Sequence, residues 1–245
     1  MAVLVTRPSP DNLRTADALR ARGFDVLLAP MLRFEPLPLP ADLAGDVGAV
    51  ITTSANALRA AAPQLSGSPL TALPLFTVGA QTAAAAREAG FAEIISADGD
   101  AARLRELVAD SAAAHVFDES KTLLYLAGSD ISRDLASELI ERGFHVVTAT
   151  VYRMAPVNAL PREVCAAFAA DCIEAVLHYS RRSAAAFVAA ARAEGVEISA
   201  LAVPQCCMSA QVAEVLREAG AARVTVAAHP DEQNVLEGVT RALRT

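Results

Sequence analysis

The chain repeats itself at a constant offset, and that repeat limits what it can fold into. Residues 145–156 (HVVTATVYRMAP) follow residues 25–36 (DVLLAPMLRFEP) by 120 positions. At this offset Arg22-Gly23-Phe24 falls on Arg142-Gly143-Phe144, Arg33 on Arg153 and Pro36 on Pro156. Leu32 falls on Tyr152, so only the second copy carries a hydroxyl at that place. Each copy is an extended apolar segment ending in Arg-x-x-Pro, as expected of a strand that leaves a globular unit. A second pair of segments recurs in the same order. Ala49-Val50-Ile51-Thr52-Thr53-Ser54 matches Ala175-Val176-Leu177-His178-Tyr179-Ser180, and Gln81 with Arg87-Glu88-Ala89-Gly90 matches Gln211 with Arg217-Glu218-Ala219-Gly220. The chain therefore reads A, B, A′, B′.

Between these landmarks, short apolar runs alternate with helical periodicity. Strands are expected at 3–5, 25–29, 49–52, 75–78, 94–95, 123–126, 173–179, 202–208 and 224–227, with the turn Ala127-Gly128-Ser129-Asp130 after the sixth. Ser9 is the expected N-cap of the first helix, with Pro10 in its first turn and Gly23 at its end. Further helices are expected at 55–62, 80–90, 101–110, 162–169, 181–192, 209–219 and 231–243, and one carrying Leu135, Leu139 and Ile140; 63–74 and 111–120 read as loops. Nearly all-apolar strands alternating with helices predict parallel sheets covered on both faces. Hydrophobic residues make up 53% of the chain but aromatic ones only 4%, so Ala-faced helices must pack on Val/Leu strands.

A length of 245 residues suits two small α/β layers better than one. The expected fold is α/β, with two flavodoxin-like parallel-sheet domains joined by a two-stranded linker. Because A and A′ both end in an exit strand, A is expected to join B′, and B to join A′. Domain 1 is then 1–30 plus 157–245, domain 2 is 37–149, and the linker strands are 31–36 and 150–156.

No apolar run approaches the roughly 18–20 residues that span a bilayer, and the N-terminus shows no signal sequence. A soluble cytoplasmic protein without membrane contact is expected. The net charge of −7 argues against non-specific nucleic-acid binding, although it leaves room for a locally basic cleft. Cys165, Cys172, Cys206 and Cys207 form no C-x-x-C pair and are expected to be buried reduced thiols. His115, His145, His178 and His229 are scattered, so no metal site is expected. Glycine-rich nucleotide loops, hydrolase elbows and H-E-x-x-H are absent from the sequence.

What recurs is a small hydroxyl residue or a glycine at the carboxyl end of nearly every strand: Thr6, Thr53-Ser54, Gly79, Gly128-Ser129, Ser180 and Ser209. In open α/β sheets that edge binds ligands, and each following helix aims free N–H groups and a partial positive charge at it. Any one of these residues is also an ordinary helix cap; their presence in both halves favours a polyanionic ligand. Arg7, Arg153, Arg181 and Arg182 are expected at the same rim. Tyr152 is the only phenol expected at the ligand-facing floor, where it either packs between domains or donates a hydrogen bond or proton.

Thr6-Arg7-Pro8, Ile51-Thr52-Thr53-Ser54-Ala55-Asn56-Ala57, Val78-Gly79, Val151-Tyr152-Arg153 and the segment 180–187 resemble the uroporphyrinogen-III synthase family over essentially the whole chain. The resemblance implies two α/β domains with the active site between them and no metal or organic cofactor. It implies a small-molecule substrate, hydroxymethylbilane, a linear tetrapyrrole with eight carboxylates that is cyclised with inversion of ring D. Tyr152 would be the general acid in that reaction, and the chain would act as a monomer. The family often has Thr where this chain has Val212; Thr82, its counterpart in the other half, keeps the hydroxyl. That departure leaves Ser209 and backbone N–H groups as the donors near 209–213. Two other classes share the architecture: a non-catalytic tetrapyrrole- or anion-sensing module, and a sugar-binding or glycosyltransferase-like protein. The last should carry clustered carboxylates or an aromatic platform, and this chain shows neither.

Overall fold

The computed structural model describes residues 1–40, 46–131 and 133–243. The expected domain spans also include residues 41–45, 132, 244 and 245, which lie outside the described residues. The strands are β1 (Ala2–Val5), β2 (Asp25–Leu28), β3 (Leu32–Pro36), β4 (Val47–Thr52), β5 (Leu75–Thr77), β6 (Ile94–Ser96), β7 (Thr122–Gly128), β8 (Val146–Pro156), β9 (Ile173–His178), β10 (Gln205–Cys207) and β11 (Val224–Val226). The helices are α1 (Asp11–Arg20), α2 (Ala55–Leu65), α3 (Ala80–Glu88), α4 (Ala101–Ala113), α5 (Leu135–Ile140), α6 (Arg162–Ala169), α7 (Arg181–Ala193), α8 (Glu197–Ala202), α9 (Ala210–Glu218) and α10 (Glu232–Leu243).

Contacts divide the chain into two compact units. Unit 1 is Met1–Arg33 with Ala155–Thr245, and unit 2 is Phe34–Met154. In unit 1 the sheet order is β2-β1-β9-β10-β11, with every described pairing parallel. Counted along the unit's own chain this is the flavodoxin order 2-1-3-4-5. In unit 2 the order is β8-β7-β4-β5-β6, again parallel in the described pairings, with β3 beside β8. It is the same order when counted from β7, so unit 2 is a circular permutation of unit 1. The A and A′ repeats thus supply equivalent strands, β1-β2 and β7-β8.

The repeated Arg-Gly-Phe has a local cause. Gly23 and Gly143 follow α1 and α5 with φ of 86° and 93°, a left-handed conformation that a Cβ would strain. Phe24 and Phe144 then return their N–H groups to the carbonyls of Leu19 and Leu139, closing each helix end. The central strands alternate their side chains between two cores. In unit 1, Leu4, Val176 and Cys207 face one core, and Val3, Val5, Ala175, Leu177 and Cys206 the other. In unit 2, Val50, Leu124 and Leu126 face one, and Ala49, Ile51, Leu123 and Tyr125 the other. Ala57, Ala60 and Ala61 on α2 and Ala184, Ala190 and Ala191 on α7 bring those helices close to their sheets.

Several local expectations are corrected. Pro10, not Ser9, holds the N-cap position of α1. Pro63 does not end α2, which continues to Leu65, and the following segment holds a 3-10 turn at Pro69–Ala72. The helix expected to stop at residue 110 runs to Ala113, burying Ser111 and Ala112. Gly128 belongs to β7 rather than to the turn after it. Residues 197–202 form α8, leaving only Gln205–Cys207 as strand. Of the thiols, Cys206 and Cys207 are buried, whereas Cys165 is half-buried and Cys172 exposed.

Candidate active site

In each unit the strand order reverses at one point, between β1 and β9 in unit 1 and between β7 and β4 in unit 2. Connections from the two strands at such a point diverge to opposite faces and leave a crevice at their carboxyl ends. Several of the residues singled out in the sequence lie there, with Gly79 and Ser209 one strand beyond.

In unit 2, Thr52 ends β4 buried, and its hydroxyl donates to the Leu126 carbonyl at 2.8 Å, tying β4 to β7. Thr53 and Ser54 make the turn into α2. Ser54 sits at the N-cap position with extended backbone, but its hydroxyl does not cap the helix. It shares a hydrogen bond of 3.1 Å with the Tyr152 phenol instead. No side chain caps this end of α2, so ligand atoms can compete for its first-turn N–H groups.

A bulge brings Tyr152 to this turn. Ala127 pairs with Thr150 and Gly128 with Tyr152, so Val151 is the extra residue on β8. The Ser129 N–H donates to the Tyr152 carbonyl at 2.9 Å, and the Ser129 hydroxyl donates to Asp130. The phenol lies on Gly128, where a Cβ would come within 2.6 Å of Cζ and 2.8 Å of the hydroxyl. The absence of a Cβ at Gly128 lets the ring lie this close to the strand. On β3, the Phe34 ring lies 5.4 Å from the Tyr152 ring at 31°. Arg153 is 58% exposed, and its Nε donates to Glu35 at 2.7 Å.

A second phenol, buried, reaches the same turn. The Tyr125 hydroxyl, on β7, is 3.1 Å from the Thr53 hydroxyl. Burial raises its pKa, with the Thr53 hydrogen bond acting in the opposite direction. Its one signal in the sequence was a lone aromatic in the aliphatic run Leu123-Leu124-Tyr125-Leu126. One strand further along, Gly79 holds the N-cap position of α3 in extended backbone, and a Cβ there would meet open space. Thr82 is buried in the first turn of that helix.

Unit 1 is built differently at the equivalent point. Thr6, expected to face a ligand, is fully buried, and its hydroxyl donates to the Leu177 carbonyl at 2.6 Å. Beside it His178 is also fully buried, with Nε2 2.9 Å from Gln205 Oε1. The Gln205 amide nitrogen donates to the carbonyls of Ala200 and Val203, so its oxygen accepts from His178 and fixes the protonated nitrogen as Nε2. Burial pushes the His178 pKa down to about 4, so the ring is neutral. Arg7 lies over the Tyr179 ring at 4.3 Å and donates to Thr15 and Glu232, with Asp11 at 3.1 Å. Thr15 also bonds Glu232 closely. The Arg7 charge thus meets two carboxylates within the unit. Burial pushes the Tyr179 phenol up to about 12.

Ser180 caps α7, its hydroxyl accepting from the Ser183 N–H at 3.2 Å. Ser209 holds the same position on α9 without a side-chain cap bond, and Val212 is buried one turn on. Arg181 and Arg182 are exposed at the start of α7. Thr53, Ser54, Gly128, Ser129 and Tyr152 therefore converge on one turn of unit 2. Thr6, Arg7 and Ser180 end neighbouring strands of unit 1, and Ser209 lies one strand beyond. Phe34, Tyr125, His178, Gln205 and Glu232 were not singled out in the sequence. Among the described residues no three His, Cys, Asp or Glu side chains gather as a metal ion would need. No described helix is long and apolar enough to cross a membrane.

Two permuted parallel sheets, with hydroxyl residues gathered at their switch points, define a two-unit α/β protein. The family model described as Uroporphyrinogen-III synthase HemD matches residues 14–237. The chain belongs to this family, whose members are cyclising lyases of tetrapyrrole and haem biosynthesis. Among solved structures, the uroporphyrinogen-III synthetase of Helicobacter pylori is 19% identical over 98% of each chain, with a TM-score of 0.63. A mutant uroporphyrinogen III synthase from the extremely thermophilic bacterium Thermus thermophilus is 20% identical over 100% of this chain and 99% of that one, with a TM-score of 0.53. At these identities the two structures establish the shared fold. A search of curated proteins gave no match.

Proposed function

We propose that this chain converts hydroxymethylbilane to uroporphyrinogen III, with inversion of ring D and loss of water. Family membership supports the reaction class. The observation that carries it to particular residues is the Ser54–Tyr152 hydrogen bond above Gly128. Tyr152 is the general acid: its O–H protonates the departing hydroxyl, water leaves the hydroxymethyl carbon, and an azafulvenium cation remains. Ring D closes through a spiro intermediate, and the proton lost as the final ring system forms returns to the phenolate. The unassisted molecule tends to close without inversion, so holding ring D is most of the task.

The eight substrate carboxylates are met by first-turn N–H groups of α2 and α3 in unit 2 and of α7 and α9 in unit 1. Ser129, Arg153 and Ser209 add side-chain donors, and Thr53 and Ser54 shape the turn. Gly79 leaves the start of α3 open, and Thr82 backs it. Thr6, Arg7 and Ser180 hold the unit 1 edge in shape, which fits their internal bonding. We assign domain 1 to 1–30 plus 157–245 and domain 2 to 37–149. Segments 31–36 and 150–156 form a two-stranded linker, and one substrate in the cleft between the domains draws on both edges. The enzyme works as a cytoplasmic monomer without a cofactor.

The test is incubation of the purified chain with hydroxymethylbilane, followed by oxidation to porphyrins and separation of isomers. Type III product well above an enzyme-free control is expected. Tight substrate binding with only type I product would establish a non-catalytic tetrapyrrole-binding module instead. Neither binding nor turnover would refute both.

A further inference from the structure

Two phenols reach the Thr53-Ser54 turn, and they come from opposite faces of the unit 2 sheet. Tyr125 belongs to the core face of Ala49, Ile51 and Leu123. Tyr152 packs with the core face of Val50, Leu124 and Leu126. In register Tyr125 stands beside Ile51, so its long side chain extends along the sheet past Thr52 to the Thr53 hydroxyl at 3.1 Å. The next residue, Ser54, turns to the other face and meets Tyr152 at 3.1 Å. Consecutive hydroxyls are each held by one phenol, and the turn is clamped from both sides.

We infer that Tyr125 is a positioning residue for Tyr152, acting through Thr53 to fix the turn that presents Ser54 to the Tyr152 phenol. Tyr125 is 2% exposed, whereas Tyr152 is only half-buried, so the two phenols have different duties. The buried one anchors and the accessible one faces the ligand. Thr52, bonded to Leu126, ties the strand ends together, and its hydroxyl also accepts from the Ser54 N–H at 3.3 Å, holding the Ser54 backbone. The Tyr125–Thr53 bond adds a side-chain hold on Thr53, from the other face of the sheet. The kinetic consequence rests on the proposed reaction; the geometric one does not.

The chain contains three tyrosines, Tyr125, Tyr152 and Tyr179, so tyrosine labelled with carbon-13 at Cζ gives three ring resonances. Tyr125→Phe keeps the packed ring and removes one of them. The Tyr152 resonance is expected to move and that of Tyr179, in unit 1, to stay. An unmoved Tyr152 resonance overturns the inference, whatever the protein's activity. In turnover, Tyr125→Phe and Thr53→Val should each lower kcat for the type III isomer about five-fold, the worth of one hydrogen bond, with KM held. Thr53→Ser should restore it. In a Tyr152→Phe background the Tyr125→Phe loss should vanish, because both act through one phenol. An equal loss in both backgrounds overturns the inference. A wild-type protein inactive on hydroxymethylbilane defeats the proposed reaction alone, and the resonance shift still decides the positioning.

Discussion

Gly128→Ala moves the Tyr152 phenol without changing its chemistry. A Cβ at residue 128 would lie 2.6 Å from Tyr152 Cζ, where ordinary contact begins near 3.4 Å, so the ring must retreat by about 1 Å. The obstructing atoms are the far end of a side chain, so the phenol yields rather than the backbone, and the stability cost is about 1 kcal/mol or less. The Ser54–Tyr152 bond, 3.1 Å in the structure, then stretches to about 4 Å and is lost. Misplacing a reacting group by about 1 Å can cost about 100-fold. Steady-state kinetics on hydroxymethylbilane should therefore show kcat down by that order, with KM little changed and a near-wild-type melting curve. A folded Gly128→Ala protein with turnover within about two-fold of wild type would refute the seating of Tyr152 on Gly128 as a requirement of catalysis.

Acid should act first through His178. Its folded pKa, lowered to about 4 from 6.5, makes its contribution complete above pH 6.5 and lost as pH falls toward 4, because the unfolded chain takes up the proton first. That window is worth about 3 kcal/mol. His178→Gln should flatten the urea-unfolding profile between pH 6.5 and 4. Carboxylates such as Glu106, held to about 2 by Arg142 and Arg105, lose their contribution only below about pH 4.5. Arg7→Met should remove the cation that Asp11 and Glu232 share, with Arg14 still on Asp11, and destabilise unit 1 by about 2 kcal/mol, read as a lower urea midpoint. Ser180→Ala should cost about 1 kcal/mol through loss of the α7 cap, measured the same way.

Much of the fold was legible because its signals are local. Alternating apolar runs and helical patterns specify parallel layers, and the recurring Arg-Gly-Phe marks equivalent helix ends at Gly23 and Gly143. The site was legible in part. Thr53, Ser54, Gly128 and Tyr152 stand out as strand-end residues, and they do converge. What they do there was not legible, because it depends on pairing. Only the bulge between β7 and β8 sets Tyr152 on Gly128, and only register carries Tyr125 to Thr53. Ser54 reads as a helix cap in sequence, yet a long-range phenol competes for its hydroxyl. Thr6 reads as an edge donor, yet the Leu177 carbonyl of the neighbouring strand claims it. The short α8 was missed because EISALA holds too few turns to show helical periodicity.

The most direct test of the proposed chemistry compares Tyr152→Phe with wild type, measuring the type III isomer formed per enzyme per second from hydroxymethylbilane. The phenyl ring keeps its place on Gly128 and beside Phe34, so only the acidic hydroxyl is removed. Loss of a general acid predicts a fall in kcat of about 100-fold or more with substrate binding retained. Wild-type turnover to the type III isomer by the Tyr152→Phe protein would contradict it.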